Sequence, residues 1–168
     1  MNPLNHFIIS DNSYNRLNSI EISRLAQTII QKLRPYATNI TIAGSIRRGM
    51  TPSDIDIVLI PRDKEKIYQT IISMGGRIWS KGQSQIYFKI RGIDVNIYYA
   101  TPDTYGAQLL TRTGSAGHNI GLRKISQSKG LLLNQYGIYK GKKLLGGKTE
   151  REIYNILGRK YKPPEQRQ

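Results

Sequence analysis

The stretch GSIRRGMTPSDID, residues 44–56, sets a serine and two arginines a few residues ahead of two carboxylates spaced by one. Gly44 lets backbone come close to a ligand, Ser45 offers a hydroxyl and an N–H, and Arg47 or Arg48 can clamp phosphate oxygens bidentately. On a strand, side chains at i and i+2 share a face, so Asp54 and Asp56 stand together while Ile55 and Ile57 turn into a core. Two carboxylates so placed repel each other, and aligning them is costly unless a cation neutralises them. A third acid, Asp94 in RGIDVNIYY, sits in another strand candidate whose Ile93, Val95 and Ile97 face a core. If the two strands are neighbours, three acids converge on one point. Such a set can hold two divalent ions roughly 3.5–4 Å apart, the arrangement used to move phosphoryl groups.

The rest of the composition narrows the metal and the partner. The chain has no cysteine and only His6 and His118, which excludes disulfides, thiolate catalysis and cysteine-ligated zinc, and leaves oxygen donors suited to Mg²⁺ or Mn²⁺. Its formal charge is +15. Residues 1–110 carry 13 basic and 8 acidic side chains, whereas residues 111–168 carry 13 and 3. That excess points to a polyanionic partner, nucleic acid rather than membrane, since no strongly basic amphipathic helix stands out. No apolar run approaches the roughly 20 residues of a membrane span, and FIIS near the start is too short for a signal-peptide core. The expectation is a soluble, intracellular protein, at home in a cytoplasm or nucleoid or of viral origin.

Positioning these groups requires a sheet with helices packed on it. LNSIEISRLAQTIIQKLRPYA places Ile22, Leu25, Ala26, Ile29, Ile30 and Leu33 at helical spacing, with Ser19 or Ser23 as cap and Pro35 beyond the end. NITIAG and DIDIVLI read as neighbouring strands joined by SIRRGMTPS. DKEKIYQTIISMGG reads as a helix closed by glycine, followed by strands RIWS, SQIYFKI and IDVNIYY. From about Thr101 the texture changes to two helices, TPDTYGAQLLTRTG and SAGHNIGLRKISQSKG. A small hairpin, LLLNQYGIYKGKKLL, and a short helix, KTEREIYNILG, follow. The tail RKYKPPEQRQ is expected to run extended over the surface. The fold class is α+β: a mixed β-sheet with helices over residues 1–105, followed by a small α/β lobe over 106–168.

At this point the residues resemble a family. G-S followed about ten residues later by D-x-D is the nucleotidyltransferase signature. RGIDVNIYY looks like its third-aspartate strand, and LLTRTGSAGHNIGLR like the T-G-S…N…R helix region of family X DNA polymerases. LLLNQYGIYKGKKLLGGKTEREIYNILGRKYKPPEQR is similar to that family's C-terminal lobe. The resemblance runs from about residue 20 to the end, with the four stretches in family order.

The resemblance implies a nucleotidyltransferase-type palm and a template-directed polymerase adding dNMP from dNTP to a primer 3′-hydroxyl of gapped or primer-template DNA, as a monomer with two Mg²⁺ or Mn²⁺ ions. By position, Asp54 and Asp56 bind both metals, and Asp94 completes the catalytic ion. Gly44, Ser45 and Arg48 match the β,γ-phosphate site. Thr113 and Gly114 match the backbone against the deoxyribose, Ser115 beside them is counted with the nucleotide-binding residues, and Asn119 matches the minor-groove edge of the nucleotide. Arg123, with Lys124 beside it, matches the template contact. Lys140, Lys142 and Lys143 at the hairpin tip are candidates to grip the DNA backbone. Some 20 residues before the first helix leave no room for an amino-terminal lyase domain, so no deoxyribose-phosphate lyase activity is expected.

The sequence departs from the family pattern at Thr111 and Arg112, where an aromatic pair or His-Phe is usual, and at Ala116, where a larger or charged residue is common. The loop from Ser45 to Asp54 is one residue short. The sugar question therefore stays open, as do an RNA- or protein-modifying transferase, a template-independent terminal transferase and a silent DNA-end binder. His118 could touch the triphosphate or the base, but as a lone histidine on a helix it reads rather as a surface or packing residue. Eleven tyrosines against two phenylalanines suit both strands and base stacking. Trp79 reads as core.

Overall fold

A computed structural model describes residues 16–168; FIIS and His6 lie outside them. The first helix, α1 (Ser19–Leu33), begins at Ser19, but neither expected serine caps it. Asn18 is the cap: its side chain accepts from the Glu21 N–H at 3.0 Å while Glu21 accepts from the Asn18 N–H at 2.8 Å. Asparagine caps as well as serine does, and only Asn18 has a glutamate three residues on to return the bond. Ser23 instead bonds back to the Ser19 carbonyl at 2.9 Å. All six apolar positions named for this helix are buried.

The main sheet has strands β1 (Ala37–Ile42), β2 (Ile55–Pro61), β3 (Arg77–Lys81), β4 (Gln85–Ile90) and β5 (Ile93–Tyr99), in the order β1-β2-β5-β4-β3. Only the β2–β5 pair is parallel. One four-residue helix, α2 (Gly44–Arg47), lies between β1 and β2, and α3 (Lys64–Ser73) follows β2. Period-two alternation divides the sheet cleanly. Ile55, Ile57 and Leu59 of β2, with Phe88, Val95 and Ile97, pack against α1 and α3 in the larger core. The other face carries Val58, Ile60 and Tyr98 against Leu109.

Leu109 belongs to α4 (Tyr105–Thr113), which is followed by α5 (Ala116–Ser128) and α6 (Glu150–Ile156). Between α5 and α6 the expected hairpin is a three-stranded sheet: β6 (Leu132–Asn134), β7 (Gly137–Lys140) and β8 (Lys143–Gly146). LLLN folds back on β7 through a tight turn in which the Asn134 side chain accepts from the Tyr136 N–H at 2.8 Å. This part has its own core of Ala107, Leu110, Leu122, Leu133, Ile138, Ile153, Tyr154 and Leu157. The tail departs most from expectation. It turns at Pro164–Gln166 and buries Arg167 completely, because an ion pair described below draws that guanidinium inward. Among the described residues, no helix is long and apolar enough to cross a membrane.

Candidate active site

The carboxylate face is built on β2 and β5. Their register sets Asp56 opposite Asn96, whose side-chain amide donates to Asp56 Oδ1 at 3.0 Å. Asp56 is half-buried, and its carboxyl is pushed up from the ordinary range by burial and by the charge of Asp54; the Asn96 bond and the more distant Arg112 and Arg48 offset only part of this. Gly44 is where the sheet meets the anion-binding half. Its φ of +61° suits glycine, and a Cβ there would collide with Asp56 Oδ2. The glycine thus brings backbone against the carboxylate itself.

Asp94 does not close the ring. It lies two residues before Asn96 on the same face, about 6.6 Å along the strand, and meets Lys89 at 3.3 Å in an exposed pair. Continuing the register would set Asp54 level with Asp94, but pairing begins at Ile55 and leaves Asp54 in the bend before the strand. Among the described residues, no three of His, Asp or Glu are gathered as a metal-holding group. Asp54 and Asp56 nonetheless fit a hard cation: two oxygen donors, one of them desolvated, repel each other, and among the described residues the Asp56 carboxylate is hydrogen-bonded only by a neutral amide.

The arginines divide their work. The Arg48 guanidinium donates to the Thr113 carbonyl and lies against Gly114, where a Cβ would stand 3.1 Å from its Nη1. Arg47 donates to Thr113 Oγ1 at 2.8 Å and makes a two-pronged pair with Glu150 at 2.7 and 2.9 Å. Arg167 joins the same carboxylate at 2.7 Å. Burial would push Glu150 up, but hydrogen bonds and charges from both arginines outweigh it and hold the carboxyl down to about 2. One buried acid therefore ties α2, the end of α4 and the C-terminal tail together.

The other expected residues take definite places. Ser115 caps α5, accepting from the His118 N–H at 3.3 Å. Asn119 donates to the Thr111 carbonyl at 2.8 Å, bracing the turn that Thr113 and Gly114 form. Arg112 stacks 3.8 Å over the Tyr98 ring beside the carboxylate face. Ser45 is half-buried on α2. Arg123 and Lys124 are exposed on α5, whereas Lys140, Lys142 and Lys143 are exposed in the smaller sheet, apart from the Asp56 face. His118 bonds the Tyr154 hydroxyl at 2.6 Å, and burial lowers its pKa. Trp79 is 62% exposed, not core. Sequence reasoning also missed Asn96, although it stands two residues after Asp94, and missed Glu150 and Arg167. Nothing in KTEREI separates a buried acid from a solvated first-turn glutamate.

With the geometry in hand, comparison with known proteins is direct. The DNA polymerase beta thumb family model matches residues 108–168. The "Repair DNA polymerase X" of African swine fever virus (isolate Tick/South Africa/Pretoriuskop Pr4/1996) is 24% identical over 149 residues, covering 82% of this chain and 86% of the viral one. "DNA polymerase IV" of Saccharomyces cerevisiae is 37% identical over 65 residues, 39% of this chain and only 11% of the yeast protein. The thumb match sets the chain among the DNA polymerases. Together the thumb match and these relatives support a likeness to the family X DNA polymerases, at low identity.

Proposed function

We propose that the chain is a repair polymerase that adds a deoxynucleoside monophosphate to a primer 3′-hydroxyl at short gaps, using two Mg²⁺ or Mn²⁺ ions and acting as a monomer. Residues 1–105 serve as palm and 106–168 as the lobe that meets nucleotide and DNA. The observation that carries the reading is Asp56: a desolvated carboxylate with a second acid beside it, opposed among the described residues by no direct protein cation, against the glycine that opens an arginine-bearing turn. Such a group is costly to maintain in a fold unless a bound cation offsets it.

In this reading Asp54 and Asp56 hold the metal and Asp94 contributes once Lys89 releases it. The ions, when bound, favour deprotonation of the attacking hydroxyl and offset charge on the triphosphate. Ser45 and Arg48 bind the β,γ-phosphates, Arg48 being held in place by the Thr113 carbonyl. Arg47, committed to Glu150, fixes the turn instead of touching the nucleotide. Thr113, Gly114 and Ser115 form the wall against the sugar, Asn119 braces it, and Arg123 and Lys124 face the template strand. The lysines at 140, 142 and 143 meet DNA backbone away from the chemistry. Arg112 on Tyr98 stands where sugar discrimination is decided.

The test is single-nucleotide incorporation on a one-nucleotide gapped duplex with Mg²⁺, offering each dNTP and NTP separately, beside an Asp54→Ala control. Incorporation that follows the template base and disappears in the control is the expected result. Absence of incorporation on every gapped and nicked substrate overturns the reading.

A further inference from the structure

The sheet face that carries Asp56 continues outward across β5, β4 and β3 as a row of rings. Tyr98 meets Tyr87 edge-on at 6.1 Å, and Tyr87 meets Trp79 at 5.4 Å with the ring planes 34° apart. Trp79 owes its place to an irregularity in the ladder. Ile78 pairs with Phe88 and Ser80 with Tyr87, so Trp79 is the one inserted residue between them. A bulge of this kind re-aims a side chain, and here it turns the indole onto Tyr87 while Ile78 still packs in the core. The bulge leaves the indole 62% exposed on an edge strand, resting against Tyr87.

We propose that Trp79 and Tyr87 form a stacking site for an unpaired nucleobase of a single DNA strand that crosses the sheet face carrying Asp56. This rests on the DNA-polymerase reading above and extends it to a ligand that the carboxylate site does not explain. Charge complementarity selects a polynucleotide as occupant. Arg77 stands in register with Lys89 on the two outer strands of this same face, Lys89 being shared with Asp94 in an exposed ion pair, Arg112 lies over Tyr98, and the chain carries +15 overall. A hydrophobic protein surface would be met by apolar neighbours, whereas these rings are bordered by cations that suit phosphates on either side of a stacked base. Asn96 and Tyr87 are register partners, so the rings lead directly to Asp56.

Trp79 is the sole tryptophan, so its emission reports on this site alone. The full chain is titrated without metal with an eight-nucleotide oligothymidine and with a blunt duplex of the same length, each labelled at one end so that anisotropy reports binding independently. Quenching of Trp79 that follows saturation by the single strand, with little change for the bound duplex, is the expected result. Trp79→Ala should weaken single-strand binding by about fivefold to a hundredfold, the range for loss of one base–aromatic stack. Trp79→Phe should retain most of it. Saturation by the single strand with unchanged emission overturns the proposal, as does equal quenching by the duplex or an equal loss of both ligands in Trp79→Ala. Wild-type incorporation on gapped DNA is read separately. Its absence removes the polymerase reading, whereas incorporation with an unquenched Trp79 removes only the stacking site.

Discussion

Glu150 and Asp56 are both desolvated carboxylates near the junction of the two sheets, and they have moved in opposite directions. Two arginines clasp Glu150, and their bonds and charges hold it down to about 2 despite burial. Asp56 has one neutral amide and a second acid for company, and burial leaves it raised. The difference separates a finished interaction from an open one. Glu150 closes a structural knot that locks Arg47, and with it the turn bearing Ser45 and Arg48, to the C-terminal lobe. Asp56 has no such clasp, which is the state the proposed metal site would need before a cation from outside the chain arrives.

Breaking each side should therefore damage different properties. Asp56→Asn is expected to lower incorporation by about 10³-fold or more, the several kcal/mol of charge stabilisation that a metal supplies. Single-turnover kinetics on gapped DNA measures it. Glu150→Ala leaves two guanidiniums at least partly buried without their acid, and should cost about 3–5 kcal/mol of stability in urea unfolding. Adding Mg²⁺ or Mn²⁺ at a hundred times its dissociation constant should stabilise the wild type by about 2.7 kcal/mol. Asp54→Ala should abolish most of that shift in a thermal melt, whereas Glu150→Gln should keep it.

A further effect is in the pH profile, where the two groups have opposite signs. Glu150 binds its proton less tightly folded than unfolded, so its contribution is full above its ordinary value of 4.5 and is lost as pH falls from there through about 2. Asp56 binds its proton more tightly folded, so it favours the fold at low pH and loses that contribution as pH rises through its raised value. Glu150→Gln should flatten the acid limb of a stability-versus-pH curve, and Asp56→Asn should remove the opposing slope above it.

What was legible in the sequence follows from how local each signal is. Helical spacing in α1 and β-branched alternation in β2 and β5 are local patterns, and they placed the core and Asp56 correctly on opposite faces. The neighbouring position of β2 and β5 could only be supposed, and their register, which puts Asn96 rather than Asp94 opposite Asp56, depends on a parallel pairing 40 residues apart. Glu150, Arg47 and Arg167 come from three distant segments, and each reads as an ordinary surface charge until the fold closes. Trp79 was misread because an aromatic in a strand is usually packed, and the bulge that turns it outward has no sequence mark such as glycine.

The most direct test of the central contrast measures incorporation rate and melting midpoint on the same preparation of Asp56→Asn. The account predicts a lost rate with a midpoint equal to or above that of the wild type in the absence of metal, because an uncompensated charge has been removed. A midpoint that falls along with the rate would show Asp56 to be a structural carboxylate like Glu150, and would contradict the account.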